Sequence, residues 1–219
     1  VVTTVSEGAS TALRIENGFS EKDILLLFAS TRPGAEHLAA ACWDMLKDTF
    51  PRLRIIVAPR HLDRFDEALL PFAPQPVCKR SDVIAGLGDR QCRIFFVDTM
   101  GELTRFYAIA QLVVIGGSFF PGVEGHNPLE SAALGIPTVF GPHMSNFPDA
   151  ADLLLKGEGA HQIDEPERLP LFLRTLLQDP LLLEKTAQNG RNAVLESQGA
   201  VNTTVALIQH CLKKTTEKL

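Results

Sequence analysis

Short apolar runs alternate with amphipathic stretches along most of this chain. Ile24 to Ser30, Arg54 to Ala58, Arg93 to Val97, Leu112 to Ile115, Pro137 to Phe140 and Ala160 to Ile163 are of strand length. They lack the alternation of a strand with one wet face, which predicts burial on both sides. Helical patterns fall between them. Gly34 to Thr49 places Leu38, Ala41, Cys42, Met45 and Leu46 on one face; Asp63 to Leu70 is stopped by Pro71; Glu102 to Ala110, Pro128 to Leu134 and Phe147 to Leu155 follow. The alternation predicts an α/β fold, a doubly wound parallel sheet with helices on both faces. Ligands in such sheets bind beyond the carboxyl ends of the strands, so Ser30, Arg60, Thr99 and Gly116 are expected to converge on one crevice. Pro166 to Leu212 reads as helices with leucine spacing. Val1 to Lys22 is polar and weakly periodic, expected as a linker or edge segment before a folded domain of residues 23–219.

The densest chemistry lies in Gly116-Gly117-Ser118-Phe119-Phe120-Pro121-Gly122-Val123-Glu124-Gly125-His126-Asn127-Pro128-Leu129-Glu130. An apolar strand that runs into a glycine turn and then a helix start builds a cradle for a phosphorylated ligand. Glycines let backbone N–H groups approach, and the helix N-terminus favours negative charge. Asn127 suits the N-cap and Pro128 the first helical position. Glu130, in the first turn, is an acceptor-only group suited to a pair of ribose hydroxyls.

These segments resemble a known family. Thr99-Met100-Gly101-Glu102-Leu103, Gly116-Gly117-Ser118-Phe119, His126-Asn127-Pro128-Leu129-Glu130 and Gly141-Pro142-His143-Met144-Ser145-Asn146-Phe147 are similar to the C-terminal half of 3-deoxy-D-manno-octulosonic acid (Kdo) transferases. Ala29 to Glu36 and Pro59-Arg60-His61 agree with it. The likeness covers nearly all of the chain after Asp23, in the family's order. Two positions depart from the pattern: Glu124 stands where the family usually has a second glycine, and Ser131 where it has a proline after the glutamate.

The resemblance implies a Rossmann-like half of a GT-B glycosyltransferase that binds a nucleotide sugar, with Pro59, Arg60, Met100, Gly101, Glu102, Gly117, Ser118, Asn127, Leu129 and Glu130 at the donor. It further implies inverting, metal-independent transfer of Kdo from CMP-Kdo to a lipid A precursor in lipopolysaccharide biosynthesis, with no cofactor beyond that donor. The catalytic base would be a carboxylate of an N-terminal acceptor domain, so no catalytic residue is expected in this chain. That domain would also carry the membrane association, at the cytoplasmic face of the inner membrane. The start Val1-Val2, without methionine, is expected for a fragment lacking it, inactive alone. Another GT-B transferase, an epimerase-like enzyme or a non-catalytic nucleotide-binding module are the alternatives.

Several residues carry two readings. Arg60 follows a strand, where a guanidinium can fork onto a phosphate, or it pairs with a nearby acid such as Asp63. His61 either donates to the phosphate or caps the next helix. His126 either holds its loop or meets the donor sugar's carboxylate. Thr99 and Glu102 have the spacing of a capping box, and the same helix start can read a pyrimidine edge. Ser30 to Gly34 either meets the donor or caps a helix.

Composition narrows the classes. Of 219 residues 45% are hydrophobic and 21% charged, a globular balance, and the net charge of −5 with no long basic stripe argues against a nucleic-acid binder. No apolar run approaches the ~20 residues that span a bilayer. Cys42, Cys78, Cys92 and Cys211 show no C-x-x-C spacing, so neither a disulfide nor a metal framework is expected, and a reduced, cytosolic setting fits. No Asp-x-Asp pair, H-E-x-x-H motif or Gly-x-Ser-x-Gly elbow occurs, which leaves charge stabilisation to Arg60, backbone amides and helix dipoles.

Overall fold

The computed structural model describes residues 7–87 and 90–197. Seven strands form one sheet in the order β3-β4-β2-β1-β5-β6-β7, each pair parallel. They are β1 (Ile24–Thr31), β2 (Leu53–Pro59), β3 (Val77–Lys79), β4 (Ile94–Phe96), β5 (Leu112–Ile115), β6 (Thr138–Phe140) and β7 (Ala160–Gln162). The helices are α1 (Glu7–Glu16), α2 (Ala35–Leu46), α3 (Phe65–Leu69), α4 (Arg80–Ile84), α5 (Leu103–Tyr107), α6 (Leu129–Ala133), α7 (Pro148–Lys156), α8 (Leu169–Leu177) and α9 (180–197). This is the doubly wound α/β arrangement that the apolar runs predict.

Because successive strand residues point to opposite faces, β1 serves two cores at once. Leu25, Leu27 and Ala29 join Leu13, Phe106, Ala132 and Leu154 on one side. Leu26 and Phe28 join Leu38, Trp43, Phe72 and Leu173 on the other. Residues of β1 from Leu25 onward are all buried, which is why the run reads as continuous rather than alternating.

The chain runs from β1 to β2, β3 and β4 on one side, then returns to β5 on the other side of β1. The order therefore reverses between β1 and β5, where such sheets open a crevice at their carboxyl ends. Gly116 sits at that point. Its N–H donates to Ala29 O at 2.7 Å, and a Cβ there would lie 2.5 Å from Ser30 O, so only glycine fits between the strands.

Four sequence expectations are corrected. Part of the polar segment 1–22 is held to the domain: Leu13 of α1 is buried, and the Arg14 guanidinium donates to the carbonyls of Ile109, Ser20 and Asp23 at 2.7–2.9 Å. These polar anchors leave no mark on hydrophobic periodicity. Strand β3 and helix α4 were absent from the pattern because β3 offers only Val77 and Cys78 as apolar positions and the polar run Lys79-Arg80-Ser81-Asp82 follows at once. Cys78 and Cys92 form a disulfide across a separation of 14 residues, with Cα atoms 5.6 Å apart. Spacing rules miss it, since parallel pairing of β3 with β4 is what brings the two together; it is at odds with the expected reduced thiols. Cys42 is free and buried, and burial pushes its thiol up. Finally, Thr99 does not cap α5, which starts only at Leu103 after Glu102. Cys211 and the helical reading beyond residue 197 lie outside the described residues.

Candidate nucleotide site

At the carboxyl ends of β1, β2 and β4 lies a cavity of about 60 Å³, lined by Ser30, Pro59, Arg60, Thr99, Met100 and Gly101 among others. Of the four residues expected to converge, Ser30, Arg60 and Thr99 border this cavity and Gly116 does not. Arg60 is exposed, and its backbone N–H donates to Thr31 O at 3.1 Å, which fixes where its side chain leaves the sheet. No acid among the described residues pairs with its guanidinium, Asp63 included. Met100 is 69% exposed, and Gly101 takes a left-handed conformation with φ of 79°.

The second half of the site is the turn after β5. Gly117, with φ of 70°, packs so closely that a Cβ would meet Val123 Cγ1 at 2.5 Å and Arg32 Cγ at 3.4 Å. Glu124 has φ of 64°, the backbone state that explains a glycine preference at this place. Its carboxylate accepts from Gly122 N and from the Ser145 hydroxyl, and these bonds hold its carboxyl below the usual carboxylate range. Ser131, the other departure, donates to Pro128 O at 3.2 Å and shares a buried bond with Thr138 Oγ1 at 2.8 Å, tying α6 to β6.

Helix α6 starts one residue later than the sequence reading, with Pro128 as its N-cap. Asn127 still satisfies a backbone group at the helix start, since its Oδ1 accepts from Leu129 N at 3.0 Å. That bond occupies the Leu129 N–H. Glu130 is exposed in the first turn, and its carboxylate makes no hydrogen bond to the described residues. Burial, with the nearby charge of Glu130, pushes the Tyr107 phenol up.

Two predicted ligand residues have side chains engaged elsewhere. Ser118 is fully buried; its hydroxyl donates to Ile115 O at 2.6 Å and accepts from Gly141 N at 2.8 Å. Glu102 accepts a two-pronged bond from Arg80, another from Arg105 Nη1 at 2.7 Å and one from the Thr99 hydroxyl. Burial opposes its charge, but these bonds and the charges of Arg80 and Arg105 outweigh it and hold the carboxyl below the usual range.

His126 links the two halves. Its Nε2 is buried with no hydrogen-bond partner among the described residues, and its pKa is pushed down to about 4 by burial and by the charges of Arg60, Arg32 and His61. Arg60, Arg32 and His61 lie near enough for their charge to act on His126, and among the described residues no carboxylate is paired with Arg32 or Arg60. An anion is the partner such a cluster lacks. Arg32 and Arg80 went unassigned in the sequence reading; Arg32 was noted only as part of a turn, and Arg80 sits in the polar run Lys79-Arg80-Ser81-Asp82, which looks solvated. Among the described residues no cluster of three or more His, Cys, Asp or Glu side chains is arranged to hold a metal ion, and no helix is long and apolar enough to cross a membrane.

Sheet order and helices on both faces are those of the Rossmann-like half of a GT-B fold. In sequence the chain is a homologue of the Kdo transferases. It is 31% identical over 198 residues to the probable mitochondrial 3-deoxy-D-manno-octulosonic acid transferase of Arabidopsis thaliana, covering 88% of this chain and 44% of that protein. To the 3-deoxy-D-manno-octulosonic acid transferase of Bordetella pertussis it is 32% identical over 196 residues, covering 86% and 45%. The chain thus spans somewhat under half the length of these relatives. No family model matches it. The crystal structure of the C-terminal CMP-Kdo binding domain of WaaA from Acinetobacter baumannii superposes with a TM-score of 0.76 at 25% identity, over 85% of this chain and 96% of that one. The C-terminal domain of the glycosyl transferase LpcC from Francisella tularensis, at 21% identity and a TM-score of 0.61, shares the fold.

Proposed function

We propose that this chain is the donor-binding domain of an inverting, metal-independent transferase that moves Kdo from CMP-Kdo to a hydroxyl of a lipid A precursor. The observation that carries the reading is the crevice itself: Arg60, unpaired among the described residues, beside the Thr99-Met100-Gly101 turn at the carboxyl ends of β1, β2 and β4, in a chain homologous to Kdo transferases. The cavity is too small to enclose a nucleotide, so the pyrimidine enters at Met100 and Gly101 while the phosphate lies across its mouth at Arg60. Ribose hydroxyls reach Glu130. The sugar extends toward the Gly117 turn and His126.

Displacement at the anomeric carbon needs a base on the acceptor hydroxyl and a sink for the charge that grows on the departing phosphate. Arg60 and the backbone around Gly117 and the α6 start supply the sink; the base belongs to an acceptor domain outside this chain. Membrane association, at the cytoplasmic face of the inner membrane, belongs to that part as well. Calorimetric titration of the chain with CMP, UMP and ADP tests the reading. CMP should bind most tightly; equal or tighter binding of UMP would assign the crevice to another class of GT-B enzyme.

A further inference from the structure

We infer that Arg80 is a positioning residue for the donor, acting through Glu102 to hold the Thr99-Met100-Gly101 loop in its binding shape; this rests on the nucleotide reading above. The loop has a side-chain bond of its own, from the Thr99 hydroxyl to Glu102. Met100 is largely exposed, and a Cβ at Gly101 would meet nothing within 4 Å. Its shape is set at its two ends, and both ends are gripped from the start of α4. At the near end, Ser81 donates its N–H to Asp98 Oδ1 at 2.8 Å and its hydroxyl to Asp98 Oδ2 at 2.5 Å. At the far end, Arg80 donates through Nε to Glu102 Oε2 at 3.0 Å and through Nη2 to Glu102 Oε1 at 2.9 Å.

Arg80 is only 3% exposed, so this is a buried fork rather than a surface pair. Its remaining edge is used too: Nη1 donates to Glu16 Oε1 at 2.8 Å and to Asn17 Oδ1 at 3.1 Å. Asn17 is itself fully buried and bonded to Leu13 O at 2.8 Å. The guanidinium therefore joins α1, α4 and the end of the donor loop. A lysine keeps the charge but not the fork, and Ser81 acts on the opposite end of the same loop. Held in this way, the loop is ordered before the nucleotide arrives, which removes an ordering penalty from binding.

The test uses the whole chain with CMP and cytidine as ligands, in Arg80→Lys, Ser81→Ala, Glu102→Gln and the Arg80→Lys/Glu102→Gln double variant, each checked for a cooperative thermal transition. Because the grip acts on the base side, Arg80→Lys should weaken CMP and cytidine by the same factor, about tenfold. The ratio of the two affinities should stay at the wild-type value. Ser81→Ala, which leaves the buried fork intact, should weaken both in the same sense by about two- to tenfold. The double variant should bind no worse than about the weaker single one, since both changes break one link. Unchanged affinity in a folded Arg80→Lys chain, a loss confined to CMP, or additive losses in the double variant would overturn the positioning role. If the wild-type chain binds neither ligand, the nucleotide reading fails and the inference falls with it; if it binds both and the variants bind equally well, the inference alone is wrong.

Discussion

The Ser118 hydroxyl accepts the Gly141 N–H at 2.8 Å while donating to Ile115 O at 2.6 Å, so one buried side chain ties the end of β5 to the end of β6. The backbone closes the same seam, with His143 N donating to Ser118 O at 2.9 Å. Ser118, expected at the donor from the sequence, is through its side chain a brace for the loops that form the cradle. Ser118→Ala leaves the buried Gly141 N–H unpaired and should lower stability by about 1–3 kcal/mol. Urea unfolding with a matched CMP titration checks it: the midpoint should fall while the affinity of the folded chain changes little.

Arg60 makes a different prediction. Its guanidinium is exposed and unpaired among the described residues and borders the cavity. Arg60→Ala should therefore weaken CMP far more than cytidine, and the ratio of the two losses is the quantity to measure. In an enzyme that carries the acceptor part as well, turnover should also drop, because the phosphate gains charge as the bond to the sugar breaks. Equal losses for both ligands would return Arg60 to the surface.

Glu130 has no hydrogen-bonded partner to lose within the described residues, so Glu130→Gln should leave the fold intact. Replacing a charged acceptor by an amide of similar volume should remove about 1.5–3 kcal/mol of ribose binding, roughly tenfold or more in affinity. Comparison of ribo- with 2′-deoxycytidine monophosphate isolates the effect, since the deoxy ligand should be hurt less.

His126 gives a pH prediction. Its folded-state pKa of about 4 lies below the ordinary value of 6.5, so the unfolded chain takes up the proton first. Stability from this group is complete above pH 6.5, is lost as the pH falls toward 4, and changes no further below that. His126→Gln should flatten that part of the curve. A bound phosphate or sugar carboxylate offsets the charges of Arg60, Arg32 and His61, so adding CMP should move the imidazole titration upward. Nuclear magnetic resonance of the histidine ring reads both effects; a ring that titrates near 6.5 without ligand, or that ignores CMP, would remove His126 from the site.

Much of this protein is written along the chain. Runs such as Leu112 to Ile115 are apolar because both faces of the sheet are covered, and that local signal gives every strand but β3 and the parallel α/β class. The Asn127-Pro128 helix start was legible for the same reason, since capping is decided within a few residues, though the helix begins one residue later. Tertiary structure alone decided what depends on residues far apart in sequence. It brought Cys78 beside Cys92, turned the Ser118 hydroxyl onto Gly141, set His126 in the field of Arg60, and buried Arg80 against Glu102 and the end of α1. Hydrophobic patterns report how much water a residue meets, and for a charged side chain they predict a wet surface. Whether such a group is instead buried and paired depends on partners that only the folded chain brings within hydrogen-bonding distance.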